Sequence, residues 1–212
     1  MKAVTKIKIC GIKDAVLAYQ TAKMGADYIG LMFYHKSKRY IELNNAIDIS
    51  AATRKGGAEP VAVFVDQDLN TMQQICATAN INTVQLHGDI ARQQYHLLPQ
   101  TIQRIYVLHV NPDGDIINAD QTVLKSFNTT RDYLLFDGLK GGSGAQINTD
   151  KIIPYLKNFR CFVAGGLNAD NVTAVIDKLN PYAVDTSSGV ENTPGEKSAK
   201  RIEAFIKMAR KQ

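Results

Sequence analysis

The sequence has no tryptophan, six prolines and only three cysteines in 212 residues, and each scarcity removes a class of protein. Cys10, Cys76 and Cys161 are odd in number and far apart, with no CxxC or Cys/His ligand spacing, so neither a disulfide framework nor a structural zinc is expected. Fifteen glycines and six prolines are too few for a collagen-like or low-complexity chain. With 45% hydrophobic and 21% charged residues the chain can bury a core, which excludes general disorder. No apolar run approaches the ~18 residues of a membrane span, and Met1 to Lys8 lacks the apolar stretch of a signal peptide. A soluble, cytoplasmic chain with no membrane partner is therefore expected.

The net charge of +5 raises nucleic acid as a partner, so its distribution matters more than its sum. Residues 1 to 40 hold eight Lys/Arg against two Asp, and residues 196 to 212 hold six Lys/Arg against two Glu. The stretch between them is net negative. The basic excess sits at the termini without interleaved aromatics, which reads as solvated surface, and no nucleic-acid partner is expected.

Short apolar, β-rich runs recur along the chain, each followed by a polar turn and a segment of helical period. The strands are expected at Lys6 to Ile9, Tyr28 to Phe33, Val61 to Val65, Thr83 to Leu86, Arg104 to Leu108, Tyr133 to Phe136, Cys161 to Ala164 and Ala183 to Asp185. Helices are expected near Ala15 to Met24, Asn44 to Arg54, Leu69 to Thr78, Ile90 to Leu98, Asp120 to Phe127, Thr149 to Leu156, Ala169 to Leu179 and Lys197 to Arg210. Asp14, Asp68, Asp89 and Asn168 are placed to cap helix starts. Eight alternating units predict an α/β fold, a (β/α)8 TIM barrel with a parallel eight-stranded core, as one domain over residues 1 to 212. An open doubly wound sheet is the alternative, since a strand count read from sequence can err by one or two.

In such a barrel the loops that follow the strands gather at one rim, where chemistry sits. Polar residues at those strand ends are Cys10, Gln85 and His87, Asp137, and Asp185. Gly165-Gly166, read as opening the seventh helix, and Ser187-Ser188-Gly189 after strand eight match a phosphate site built from loops seven and eight. Cys10 is either a buried thiol or, with lysines near it, a reactive one. Asp137-Gly138 alone would suggest a hairpin turn, which conflicts with the parallel strand order and leaves an acid at the inner rim. Arg39, within Lys36-Ser37-Lys38-Arg39, is either a solvated loop residue or a fork suited to a carboxylate.

Taken together these blocks resemble the phosphoribosylanthranilate isomerase family. The resemblance rests on Lys8-Ile9-Cys10-Gly11-Ile12, Phe33-Tyr34 with Lys36-Ser37-Lys38-Arg39-Tyr40-Ile41, Val84-Gln85-Leu86-His87-Gly88, Phe136-Asp137 with Gly141-Gly142-Ser143-Gly144, Gly165-Gly166-Leu167, and Val184-Asp185-Thr186-Ser187-Ser188-Gly189-Val190-Glu191. It implies the same barrel and an Amadori rearrangement of N-(5-phosphoribosyl)anthranilate in tryptophan biosynthesis, without metal or organic cofactor. It also implies a small phosphorylated substrate and a monomer or weak homodimer. Carried over by position, the general base is Cys10, the general acid Asp137 and the anthranilate-carboxylate arginine Arg39. Gln85, His87 and Asp185 are expected to bind substrate, and Gly142, Gly165, Gly166, Ser187, Ser188 and Gly189 its phosphate. Lys13-Asp14, His35 and Ala145-Gln146-Ile147 depart from the family's usual residues around the rim. A related phosphate-binding barrel, such as an indoleglycerol phosphate synthase, or a non-catalytic anion-binding barrel are the competing readings; neither gives a reason to set Cys10 opposite Asp137.

Overall fold

A computed structural model describes residues 4 to 138 and 151 to 211. Eight parallel strands close into a barrel in the order of the chain: β1 (Lys6–Cys10), β2 (Tyr28–Met32), β3 (Glu59–Phe64), β4 (Thr83–Leu86), β5 (Gln103–His109), β6 (Tyr133–Asp137), β7 (Cys161–Val163) and β8 (Ala183–Thr186). The ring closes where β1 pairs with β8, Lys8 lying opposite Asp185. Closure excludes the open-sheet alternative, because no strand of the barrel is left with a free edge. Around it run α1 (Ala15–Lys23), α2 (Leu43–Gly56), α3 (Leu69–Ala79), α4 (Asp89–Gln93), α5 (Gln121–Lys125), α6 (Ile153–Asn158), α7 (Val172–Leu179) and α8 (Ala199–Ala209). No helix among the described residues is long and apolar enough to cross a membrane.

The caps divide into two groups. Asp14 and Asp68 accept from the amides of Leu17 and Thr71, 2.7 and 2.8 Å away, and so satisfy orphan donors at the starts of α1 and α3. The other two expected caps are not caps. Asp89 is the first residue of α4 and pairs with Arg92, while α4 itself is only five residues long before the chain turns toward Leu98. Asn168 accepts from the amides of Asp170 and Asn171 in a turn, and α7 begins only at Val172. Gly165-Gly166 therefore does not open the seventh helix. The periodic apolar residues were read correctly there, but local side-chain bonds of Asn168 and Asn171 hold the intervening backbone in a turn.

Two hydrophobic layers result. One lies between barrel and helices, with Ile7, Ile9, Ile29, Phe64, Leu86, Leu108, Phe136, Val163 and Phe205 fully or nearly fully buried. The other fills the barrel: Tyr28, Val61, Ile105, Val107, Tyr133, Leu135, Phe162, Ala164 and Ala183. The period-2 geometry of strands sends alternate residues to these two layers. Rings of Tyr28, Tyr133, Phe162 and Tyr182 pack edge-on or tilted, with centroids 5.1 to 5.7 Å apart. Because Tyr28 and Tyr133 begin their strands and Tyr182 precedes β8, this aromatic plug fills the amino-terminal end. Beside it Thr83 bonds Glu59 and Gln103 at the starts of β4, β3 and β5, while Cys10, Gln85, Asp137 and Asp185 lie toward the other mouth.

After β8 the chain adds a piece that the strand pattern did not anticipate. A single 3-10 turn (Ser188–Val190) leads into an antiparallel pair, β9 (Glu191–Thr193) and β10 (Glu196–Lys197). This hairpin folds onto the β2–α2 loop: a Cβ on Gly195, whose φ is +93°, would come within 2.8 Å of the Lys38 carbonyl oxygen.

Candidate active site

A cavity of about 250 Å³ opens at the carboxyl ends of the strands. Its wall includes Cys10, Arg39, Gln85, His87, Asp137, Gly165, Gly166, Asp185, Ser187 and Ser188, so ten of the residues singled out in the sequence share one space. Met32, Leu135, Ala164 and Leu167 supply apolar wall. Gly189 does not line the cavity; a Cβ there would approach the Leu167 carbonyl oxygen to 1.9 Å, so its glycine permits loops seven and eight to touch. Gly142 lies outside the described residues, as do the rest of Gly141-Gly142-Ser143-Gly144 and Ala145-Gln146-Ile147.

Cys10 ends β1 and is 6% exposed. It sits against Gly30, where a Cβ would come within 2.7 Å of its sulfur. Burial pushes the thiol above its ordinary range, the cations of Lys8 and Lys197 pull it down, and Asp185 pushes it up; the net direction is up. Of the two readings left open for Cys10, the burial of the thiol is what the fold adds, and desolvation outweighs the lysines. Lys8, two residues before Cys10 and so on the same inner face, is completely buried, and its Nζ donates to Asp185 Oδ2 at 2.8 Å. Burial alone would lower the Lys8 pKa, but Asp185 and Cys10 outweigh it and hold the ammonium charged. Asp185 Oδ1 is buried with no partner among the described residues, and so is Gln85 Oε1.

Asp137 stands at the end of β6 and is not enclosed by apolar walls. Its Oδ1 accepts from the Gly138 amide at 2.8 Å, and its Oδ2 is 3.7 Å from His87 Nε2. Burial, with His109, Lys8 and Arg92 adding to it, outweighs the opposing pull of Asp137 and pushes the His87 pKa down to about 4, so the imidazole is neutral at physiological pH. Its contact with Asp137 is therefore polar rather than ionic.

Arg39 reaches the same cavity with its fork already engaged. Nε and Nη2 donate to the two carboxylate oxygens of Glu191, each at 2.7 Å. Lys197 Nζ donates to Glu191 Oε1 at 2.6 Å and to the Ser187 carbonyl at 2.9 Å. Burial raises the Glu191 pKa, but Arg39, Lys197 and the Gly195 amide more than offset it, leaving a value of about 2. Ser187 Oγ donates to the Cys10 carbonyl at 3.0 Å, which ties β8 to β1. Of the two serines read as phosphate donors, Ser188 is the exposed one whose hydroxyl has no such tie.

The glycine pair takes successive positive φ angles, +99° at Gly165 and +70° at Gly166, a conformation that residues with a Cβ rarely adopt. Turns of this kind can direct consecutive backbone amides toward an anion. Thr186 Oγ1 donates to the Leu167 carbonyl at 2.7 Å and fixes this loop to β8. The amides, not a helix start, are thus what the loop offers, since α7 begins six residues later and the turn at Ser188 is a single 3-10 turn.

Sequence reasoning passed over the roles of Lys8, Glu191 and Lys197, whereas His109 lines only the neighbouring cavity. The alternation of a strand could have found Lys8, because a residue two before an inward Cys10 must also face inward. Glu191 closes the Val184–Glu191 block without a role read for it and nothing local marks Lys197; the β9–β10 hairpin brings them to Arg39.

Fold and cavity define a class, a (β/α)8 barrel enzyme with a thiol from β1 and a carboxyl group from β6 at one mouth, beside a glycine-built loop. A family model for N-(5'phosphoribosyl)anthranilate (PRA) isomerase matches residues 7 to 208, and the chain belongs to that family. It is 37% identical over 207 residues to the chloroplastic N-(5'-phosphoribosyl)anthranilate isomerase 1 of Arabidopsis thaliana, covering 96% of this chain and 74% of that one. A phosphoribosylanthranilate isomerase structure in complex with reduced 1-(o-carboxyphenylamino)-1-deoxyribulose 5-phosphate superposes with a TM-score of 0.79 at 32% identity, covering 98% of this chain and 100% of the other. Monomers made from the dimeric enzyme of Thermotoga maritima give 0.80 at 32% identity, with the same coverage. The chain is accordingly an isomerase of tryptophan biosynthesis, as the motif resemblance implied.

Proposed function

We propose that this isomerase converts N-(5-phosphoribosyl)anthranilate to 1-(2-carboxyphenylamino)-1-deoxyribulose 5-phosphate by general acid and base catalysis, with Asp137 as acid and Cys10 as base. The observation that carries the proposal is the placement of these two groups on β6 and β1 of a single cavity, with Gly165-Gly166 and Ser188 between the strands that bear them. Protonated Asp137 gives its proton to the ring oxygen while the nitrogen lone pair forms an iminium at C1 and the C1–O bond breaks. The Cys10 thiolate then takes the C2 proton, and those electrons form the C1=C2 bond and neutralise the iminium. The resulting enolamine tautomerises to the ketose.

The rest of the cavity suits this substrate. Asp185 Oδ1 and Gln85 Oε1 are buried acceptors without donors among the described residues, and ribose hydroxyls supply donors of the right kind. The amides of Gly165 and Gly166, with the Ser188 hydroxyl, take the phosphate. The anthranilate carboxylate meets the end of the Arg39 fork, at Nη1–H and the second Nη2–H, since Glu191 takes Nε–H and one Nη2–H. Lys8 keeps a cation beside the thiol, and Lys197 adds a second, so Cys10 ionises at less cost than burial alone would allow.

We also infer one barrel domain acting in the cytoplasm as a monomer or homodimer; a relative's dimer and the packing of α8 on α1 and α7 support this reading. The deciding experiment is to follow loss of phosphoribosylanthranilate fluorescence with the purified protein. Turnover that requires both Cys10 and Asp137 supports the proposal, and binding of the substrate without turnover would reject it.

A further inference from the structure

His87, His109 and Asp137 follow or end three neighbouring strands, β4, β5 and β6, and one ligand atom from each lies within 4.8 Å of the others. Register holds two of them side by side, with His109 directly opposite Asp137. Two imidazoles and a carboxylate are a donor set for a divalent first-row transition ion rather than for calcium or magnesium, which prefer oxygen. Around tetrahedral zinc, with bonds of about 2.0 to 2.2 Å, ligand atoms sit roughly 3.3 to 3.6 Å apart. His87 Nε2 and Asp137 Oδ2 are already 3.7 Å apart, close to that separation.

The surroundings also fit a metal site. His109 has one ring nitrogen, Nε2, 3.2 Å from the His87 carbonyl oxygen, a contact of the kind that orients a ligating imidazole. His87 Nδ1 lies 3.3 Å from the Gln85 side-chain amide, whose Oε1 has no partner. Turning that amide over lets Oε1 accept from Nδ1–H and frees the lone pair of Nε2. His87 lies on the wall shared by the main cavity and a second one lined by Arg92, His109, Ile117 and Asn118, so water can reach an open coordination position. The nearest cation on the second wall, Arg92, is engaged by Asp89 and by the His87 carbonyl.

We propose that His87, His109 and Asp137 form a binding site for a divalent transition-metal ion of the zinc class, and that an ion bound there inhibits the isomerase by occupying Asp137. Metal binding stands on the three side chains alone; the inhibition rests on the assignment of Asp137 as general acid.

Metal-stripped protein titrated with Co2+ is expected to bind one ion with d–d absorption and without the near-ultraviolet charge-transfer band of a thiolate. His109→Ala and Asp137→Asn should each weaken binding at least tenfold, while Cys10→Ser leaves it unchanged. If the alanine variant fails to fold, His109→Phe keeps the ring and removes the nitrogens. A thiolate band lost in Cys10→Ser, or equal affinity in a folded His109 variant, overturns the site. In chelator the His109 variant should turn over like wild type, and Zn2+ should inhibit it at least tenfold less. If the site binds Co2+ as described but Zn2+ leaves turnover untouched, the role of Asp137 fails and the site stands.

Discussion

Arg39 gives both Nε and Nη2 to the carboxylate of Glu191, at 2.7 Å each, across 152 residues of sequence. A charge-assisted bidentate pair of this kind fixes a long side chain at the cavity mouth and leaves Nη1–H and the second Nη2–H for substrate. Arg39→Met is therefore expected to raise KM by an amount corresponding to ~1.5 to 3 kcal/mol, with kcat little changed. Lysine, which cannot hold Glu191 through two nitrogens, should rescue poorly. Steady-state kinetics with a substrate analogue that lacks the carboxylate checks the assignment: an equal loss for both substrates would reject it.

Glu191 itself should be a stability element. Its carboxyl is held near 2 in the folded chain, below its ordinary 4.5, so its contribution is full above 4.5 and is lost as pH falls toward 2. Glu191→Gln leaves Lys197 and Arg39 facing a neutral amide. Removing one partner of a buried pair costs about 3 to 5 kcal/mol, so a melting temperature lower by roughly 6 to 20 °C at pH 7 is expected. The gap between wild type and variant should narrow on acidification across that window; a constant gap from pH 5 to pH 2.5 would contradict the assigned pairing.

Cys10→Ala and Asp137→Asn should each lower kcat by at least ~100-fold while leaving the fold intact, the usual scale for a positioned acid or base. Cys10→Ser should be nearly as damaging, since a buried hydroxyl titrates far too high to serve. Turnover close to wild type in either the alanine or the asparagine variant removes that residue from the mechanism.

Lys8 is the charge next to the thiol. In Lys8→Met the Cys10 sulfur loses the largest influence that lowers its pKa, and its alkylation rate should rise only at higher pH than in wild type. Cys76 and Cys161, whose thiols are also pushed up by burial, should stay silent, Cys76 at about 12. Superimposable alkylation profiles for the two proteins would show that Lys8 does not tune Cys10.

Phosphate binding should depend on the glycine backbone more than on any hydroxyl. A valine at Gly166 would need a φ of +70°, which L residues rarely adopt, whereas Ser188→Ala removes one donor among several. The inhibition constant for inorganic phosphate should rise far more in Gly166→Val than in Ser188→Ala, and Arg39→Met should leave it unchanged. An unaltered constant in a folded valine variant would place the phosphate elsewhere.

Strand alternation and the spacing of apolar runs were enough for eight βα units, because each buries a period-2 strand beneath a helical face, but it is the pairing of β1 with β8 that decides a barrel over an open sheet. The strand ends were less legible. Cys10, His109, Asp137 and Thr186 are ladder residues that a polar or turn-forming composition assigns to loops; cross-strand pairing with neighbours such as Gly30 and Ile9 carries them into the sheet. The seventh helix starts late for the opposite reason, since Asn168 and Asn171 satisfy backbone groups locally.

By itself the sequence determined the eightfold alternation, the rim on which the polar residues fall and the family to which they belong, since all three are written in local patterns and short motifs. Only the tertiary structure decided the state of those residues. Barrel closure desolvates Cys10 and binds Lys8 to Asp185 across 177 positions, and the β9–β10 hairpin lays Glu191 and Lys197 against Arg39. Charge and burial act through space over a few ångströms, and partners that far apart in the chain leave no local trace.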